Sequence, residues 1–176
     1  DPEMKELLEI ADYLGYHCYG GPNDQLMVKR WLDGNNLDDP YDFALRWRTF
    51  VDWYAERGWR MPPAVYTEGT TYGGWKDDPD VSQADVVEDL RLFGDIINSD
   101  PWAVGMTIFC SGSSAEWMGW NIAGTGIGAE MGAYNRAHPT DRVDGLRSQQ
   151  FGKGNVHPLS PYAHEGLFNG GVVQRV

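Results

Sequence analysis

Ala64-Val65-Tyr66-Thr67-Glu68-Gly69 is a short, mostly apolar run that ends on a carboxylate. Val65 and Tyr66 suit a pleated, half-buried surface, and Pro62-Pro63 leads into the run while Gly69 closes it, so it reads as a strand. A glutamate at the end of an apolar strand is costly to bury without a partner. Two readings account for it. Glu68 is either a catalytic carboxylate, or it only accepts backbone or tyrosine hydrogen bonds that fix the following loop.

Working outward, Phe43, Trp47, Phe50, Val51 and Tyr54 recur at intervals of three and four, which predicts a helix opened by Asp39-Pro40 and stopped by Gly58. Upstream, Ala11–Tyr19 is an aromatic-rich strand running into Gly20-Gly21-Pro22-Asn23. Met4, Leu7, Leu8 and Ala11 place an amphipathic helix before it, with Asp1 as N-cap and Pro2 in the first turn. Residues 20–39 read as a polar loop carrying Trp31 and a Gly34-Asn35-Asn36 turn. Downstream, Ser82 caps a third helix with Val86, Leu90, Phe93 and Ile97 on one face, closed by Asp100-Pro101. Residues 102–110 form a third strand that reads as buried on both faces. A Gly/Ser/Trp-rich loop from Gly112 to Gly128 leads to a last helix over 128–137.

The alternation of helix and strand argues an α/β fold with a parallel sheet and right-handed crossovers. A closed barrel needs eight strands and about 250 residues. The expectation is therefore a partial (β/α) barrel of about three parallel strands with flanking helices over residues 1–137, or a small open sheet. From His138 the periodicity fails, and 138–176 is expected to be an irregular tail, a linker or a docking arm. A chain that opens on a helix cap suggests a fragment, a processed product or one piece of a split protein.

Composition narrows the function. A net charge of −12 argues against binding a phosphate backbone, because no basic stripe replaces condensed counterions. No apolar run approaches the roughly 20 residues that span a bilayer, so no membrane partner is expected. Aromatic residues make up 13% of the chain, eight of them Trp; they fill a core or offer flat faces to sugar rings.

Parallel βα architectures bind ligands at the carboxyl ends of their strands. The polar residues at those ends are His17 and Tyr19, then Glu68, then Cys110, Ser111 and Ser113, with Glu116, Trp117 and Trp120 in the following loop. His17 and Tyr19 lie two apart and share a face. They read as site residues or as a satisfied inward histidine and a core tyrosine. Trp117 and Trp120 read as a sugar platform or as loop packing, and Glu116 as a solvated loop carboxylate. Cys18 and Cys110 should be free thiols: two strand steps separate them by about 9–10 Å, beyond the reach of a disulfide at about 7 Å. No metal site and no cofactor are expected, since no His-x-x-x-His or Cys-x-x-Cys pair occurs. Gly124-x-Gly126-x-Gly128 lacks the later βαβ unit of a nucleotide site, and there is no Gly-x-Ser-x-Gly elbow.

These three segments, in order, resemble the closing strands of the retaining (β/α)8-barrel glycoside hydrolases, a clan of cellulases, mannanases and related β-glycosidases. Asp12–Tyr19 is similar to a sixth strand ending in His-x-Tyr, and Ala64–Gly69 to a seventh strand whose Glu is the nucleophile. Thr107-Ile108-Phe109, followed by Trp117 and Trp120, is similar to an eighth strand where an aromatic residue floors the sugar subsite. The resemblance covers about residues 3–137. It implies a carbohydrate substrate, Glu68 as nucleophile, and secretion if the parent enzyme degrades polysaccharide.

Two departures stand out. The family draws its acid/base Glu from an Asn-Glu pair after the fourth strand, and no Asn-Glu occurs here. Thr70 also replaces a later glycine. Because retaining hydrolysis uses two carboxyl groups, the chain alone is expected to be inactive, or active only when a complementary half-barrel chain or another copy completes it. The alternative is a non-catalytic carbohydrate-binding or assembly protein built from a half barrel.

Overall fold

A computed structural model describes residues 2–35 and 37–139; Asp1, Asn36 and the expected tail from residue 140, with His157 and His164, lie outside the described residues. The elements are α1 (Pro2–Ile10), β1 (Leu14–Tyr19), α2 (Lys29–Leu32), α3 (Arg46–Glu56), β2 (Ala64–Thr70), α4 (Gln83–Ser99), β3 (Ala103–Ile108) and α5 (Ile127–Ala137). Single 3-10 turns occupy Pro40–Asp42 and Ala115–Trp117. The strands form one parallel sheet in the order β1-β2-β3, so the fold is α/β with flanking helices.

The core lies on one side of that sheet. Tyr66 of β2 is wholly buried between Trp47 of α3, 5.0 Å between ring centroids, and Phe93 of α4, 6.2 Å away. Tyr16 of β1 stacks on Phe50 of α3. The alternate residues Gly15, His17, Thr67 and Thr107 are exposed. β3 is thus covered on both faces only over its first half, where Ala103 and Gly105 are buried; toward its carboxyl end, at Thr107, the opposite face of the sheet is open among the described residues. An apolar run such as Ala103–Ile108 does not reveal which face is covered, because small and β-branched residues serve both.

Long-range polar contacts fix the helices. Ser82 caps α4 in a reciprocal box with Asp85, as its position before the apolar period predicts. Arg48 of α3 makes a forked pair with Asp100 just past α4. Arg60 donates to the Leu8 and Ala11 carbonyls at 2.7 Å each, holding the end of α1. Two helix expectations need correction. The helix expected from Asp39 breaks after one 3-10 turn, because Ala44 and Leu45 are drawn wholly into the core before α3 starts. Of the apolar stripe on α1 only Leu8 is buried; Met4, Leu7 and Ile10 are exposed. Beside them an apolar groove of about 340 Å³ is lined by Met4, Thr49, Phe50, Trp53 and Tyr54.

The expected loop 20–39 contains the one-turn helix α2, which is held from outside. Asp89 of α4, 1% exposed, accepts from the backbone N–H groups of Met27, Val28 and Lys29 at 2.8, 2.8 and 2.7 Å. Those amides are orphan donors at a helix start, and Val28 offers no side-chain cap. Burial outweighs the three amides and pushes Asp89 up to about 6, with Asp24 adding in the same direction. The folded state therefore holds this proton more tightly than the unfolded chain. The associated stability is complete below about pH 4 and is lost as pH rises through about 6. In urea unfolding, Asp89→Ala should cost about 3 kcal/mol or more by stranding the amides. The difference between the wild type and Asp89→Asn should widen as the pH falls from about 7 to about 4; a difference that stays flat contradicts this assignment.

Candidate functional site

The site depends on a register break in β2. Tyr16 pairs with Tyr66, but the next residue of β1, His17, pairs with Glu68, so Thr67 is extra. The same break faces β3, where Tyr66 pairs with Met106 and Gly69 with Ile108, leaving Thr67 and Glu68 opposite Thr107 alone. Without the extra residue, Glu68 would fall opposite Cys18, which points into the core and is fully buried. The bulge brings it instead beside His17 on the open face. Two hydroxyls hold the bulge: Thr107 donates to the Thr67 carbonyl, and Thr67 donates to the Tyr16 carbonyl at 3.4 Å. The next residue, Gly69, packs directly on Met106: a Cβ there would lie 2.1 Å from Met106 Sδ, so a larger residue would force that side chain to move.

Glu68 is thereby joined to the first strand. The Tyr19 hydroxyl donates to Glu68 Oε2 at 2.5 Å, and His17 Nδ1 lies 3.3 Å from the same oxygen. Both partners come from alternate positions of β1, as their spacing predicts. The carboxylate is about two-thirds shielded, with 35% of its side chain exposed, while His17 remains open to solvent. Burial, reinforced by the hydrogen bond to Glu68 and by its charge, raises Tyr19 well above the ordinary phenol range. Like any phenol Tyr19 is a proton donor in the neutral range, and here it stays one to higher pH. A carboxylate oriented in this way can act as a nucleophile, a base or an acceptor for a bound hydroxyl.

An aromatic wall adjoins it. Phe109, just past β3, has its ring 6.2 Å from Tyr19, 5.4 Å from Trp117 and 6.3 Å from Trp120. Trp117 and Trp120 are 5.5 Å apart. Trp120 is anchored by its indole N–H to the Thr71 carbonyl at 3.2 Å, whereas Trp117 is 44% exposed. The structure thus brings His17, Tyr19, Glu68, Trp117 and Trp120 to one end of the sheet. Phe109, the link between carboxylate and tryptophans, was absent from the strand-end residues singled out on polarity. Its signal is positional: it lies two residues beyond Thr107, one step past the strand. Glu116 is exposed on its loop. Cys110 is half-exposed at the wall, with burial raising its thiol, and Cys18 is buried; both are free, as the strand spacing requires. Among the described residues no cluster of three or more His, Cys, Asp or Glu could hold a metal ion.

The geometry makes Tyr19 a reporter of Glu68. Glu68→Gln removes the charge that opposes phenolate formation while leaving the burial in place. Tyr19 should then ionise at lower pH than in the wild type, read from ring-labelled tyrosine NMR spectra in alkaline titration. An unchanged Tyr19 titration would mean that the two groups do not touch in solution. No protein-family model, no curated protein and no solved structure matches this chain.

Proposed function

We propose that this chain is the C-terminal part of a retaining (β/α)8-barrel glycoside hydrolase acting on a β-linked carbohydrate, with Glu68 as its nucleophile. The observation that carries this reading is the Glu68 carboxylate at the carboxyl end of a parallel sheet, held by Tyr19 and His17 and faced by aromatic rings. In this reading Tyr19 and His17 orient the carboxylate and the sugar. Trp117 or Trp120 stacks on a pyranose face, and the exposed indole of Trp117 suits that role better than the anchored Trp120.

Attack by Glu68 on the anomeric carbon expels the leaving alcohol and forms a covalent glycosyl-enzyme, which water then hydrolyses. Departure of the alcohol needs a second carboxyl group about 5–5.5 Å from the first, acting as acid and then as base. The strand-end cluster supplies one carboxylate, and the sequence has no Asn-Glu pair to supply the other. A complementary half-barrel chain, or a second copy, would bring it. Nothing in this chemistry calls for a metal or an organic cofactor.

The apolar groove between α1 and α3, together with the outer edges of β1 and β3, which pair with no further strand among the described residues, favours a second reading. In that reading the half barrel binds carbohydrate or assembles with a partner without catalysis. Both readings expect a solution mass above the 19.8 kDa of one chain, and an active-site label separates them. An epoxyalkyl β-glycoside carries its own electrophile: the carboxylate attacks an epoxide carbon to form an ester, the ring C–O bond breaks, and the released oxygen takes a proton from water. Peptide mapping should find a single adduct on Glu68, absent from Glu68→Gln and formed about 100-fold more slowly in Tyr19→Phe, the scale of losing one oriented donor. Sugar affinity without an adduct on Glu68 would favour the binding reading. Neither affinity nor adduct would remove both.

A further inference from the structure

The loops that follow β1 and β2 are joined by one residue outside the cluster. Gln25 sits in the loop after β1 with φ 64, in the left-handed region that non-glycine residues seldom adopt. That conformation lets it serve the loop after β2 twice. Its backbone carbonyl accepts from Tyr72 N–H at 2.8 Å, and its side-chain Oε1 accepts from Gly73 N–H at 2.7 Å. The fit is close on both sides: a Cβ at Gly20 would lie 2.0 Å from the Gln25 carbonyl, and one at Gly73 would lie 2.8 Å from Gln25 Oε1.

The connection continues in both directions. Behind Gln25, Asp89 of α4 grips the amides of Met27 to Lys29, so the loop is tied to that helix. Ahead of it, the loop after β2 meets the loop after β3. Trp120 donates to the Thr71 carbonyl, Lys76 N–H donates to the Gly119 carbonyl at 3.1 Å, and Gly74 packs on the Gly119 backbone. Thr71 itself is fixed by its hydroxyl, which donates to the Gly73 carbonyl at 2.6 Å. Gln25 is thus the rung between the strand bearing His17 and Tyr19 and the loop on which the tryptophan wall rests.

We propose that Gln25 is a positioning residue that sets the spacing between the Glu68 cluster and the Trp117–Trp120 wall. The mechanical part stands on the hydrogen bonds alone. Its consequence for ligand binding rests on reading this end of the sheet as a carbohydrate site. Glycine relieves the left-handed backbone that glutamine strains, so Gln25→Gly removes the side-chain bond to Gly73 without adding backbone strain.

The test uses the full ¹⁵N-labelled chain as wild type, Gln25→Gly and Gln25→Glu. In Gln25→Gly the Trp120 indole N–H should exchange with solvent about 10-fold faster, the scale of losing one hydrogen bond. Core amides such as Leu90 and Phe93 should keep their protection, and the thermal midpoint should not fall. Gln25→Glu keeps an acceptor for Gly73 and should restore Trp120 to near wild type. Unaltered Trp120 exchange in Gln25→Gly, or no rescue by Gln25→Glu, overturns the proposal. A β-linked oligosaccharide titrated by tryptophan fluorescence should bind Gln25→Gly about 10-fold more weakly. If the wild type shows no response to sugar, the carbohydrate reading fails, while the exchange data still decide the role of Gln25.

Discussion

One extra residue in the central strand determines which way a carboxylate points. Residues of a strand alternate between faces, so an uninterrupted β2 would send Glu68 toward the helix layer, where Cys18 and Tyr66 are already fully buried. An ionised group there would meet rings and aliphatic carbon. The break at Thr67 places Glu68 instead beside His17 and within reach of Tyr19. The break leaves backbone groups out of the ladder, and the Thr107 hydroxyl satisfies one of them by donating to the Thr67 carbonyl.

From this constraint the rest of the site follows. The carboxylate receives the Tyr19 hydroxyl, which as a phenol is protonated in the neutral range and which burial holds protonated to higher pH. Tyr19 in turn packs against Phe109, and Phe109 against both tryptophans, so a chain of aromatic contacts runs from the carboxylate to the wall. The loops behind them are not held by their own propensities. Asp89 caps α2 from another helix, and Gln25 bridges two loops in a conformation its own side chain disfavours. Such contacts keep a site in place on a sheet whose second face is partly open among the described residues.

Much of this was legible in the sequence. The three strands, the Ser82 cap, the three- and four-residue period of α4 and the free cysteines follow from local chemistry and simple geometry, and so does the shared face of His17 and Tyr19. The misses have a common cause. Nothing in Ala64–Thr70 announces an extra residue, because a bulge is a relation between strands. α2 forms because Asp89, some sixty residues away, supplies its cap. The break at Ala44 and Leu45 arises because tertiary burial overrides an unbroken helical period. The open carboxyl end of β3 was unreadable for a related reason: an apolar strand records what it can tolerate, not what covers it.

The proposed resemblance to retaining glycosidases rests on the order of short motifs, whereas the Glu68 cluster rests on hydrogen bonds that depend on the register of β2. A crystal structure of the chain tests that register directly. The account requires Glu68 opposite His17, with its carboxylate accepting from the Tyr19 hydroxyl and Thr67 bulged beside Thr107. Thr67 paired with His17 in a continuous ladder, with Glu68 turned toward the helices, would contradict it.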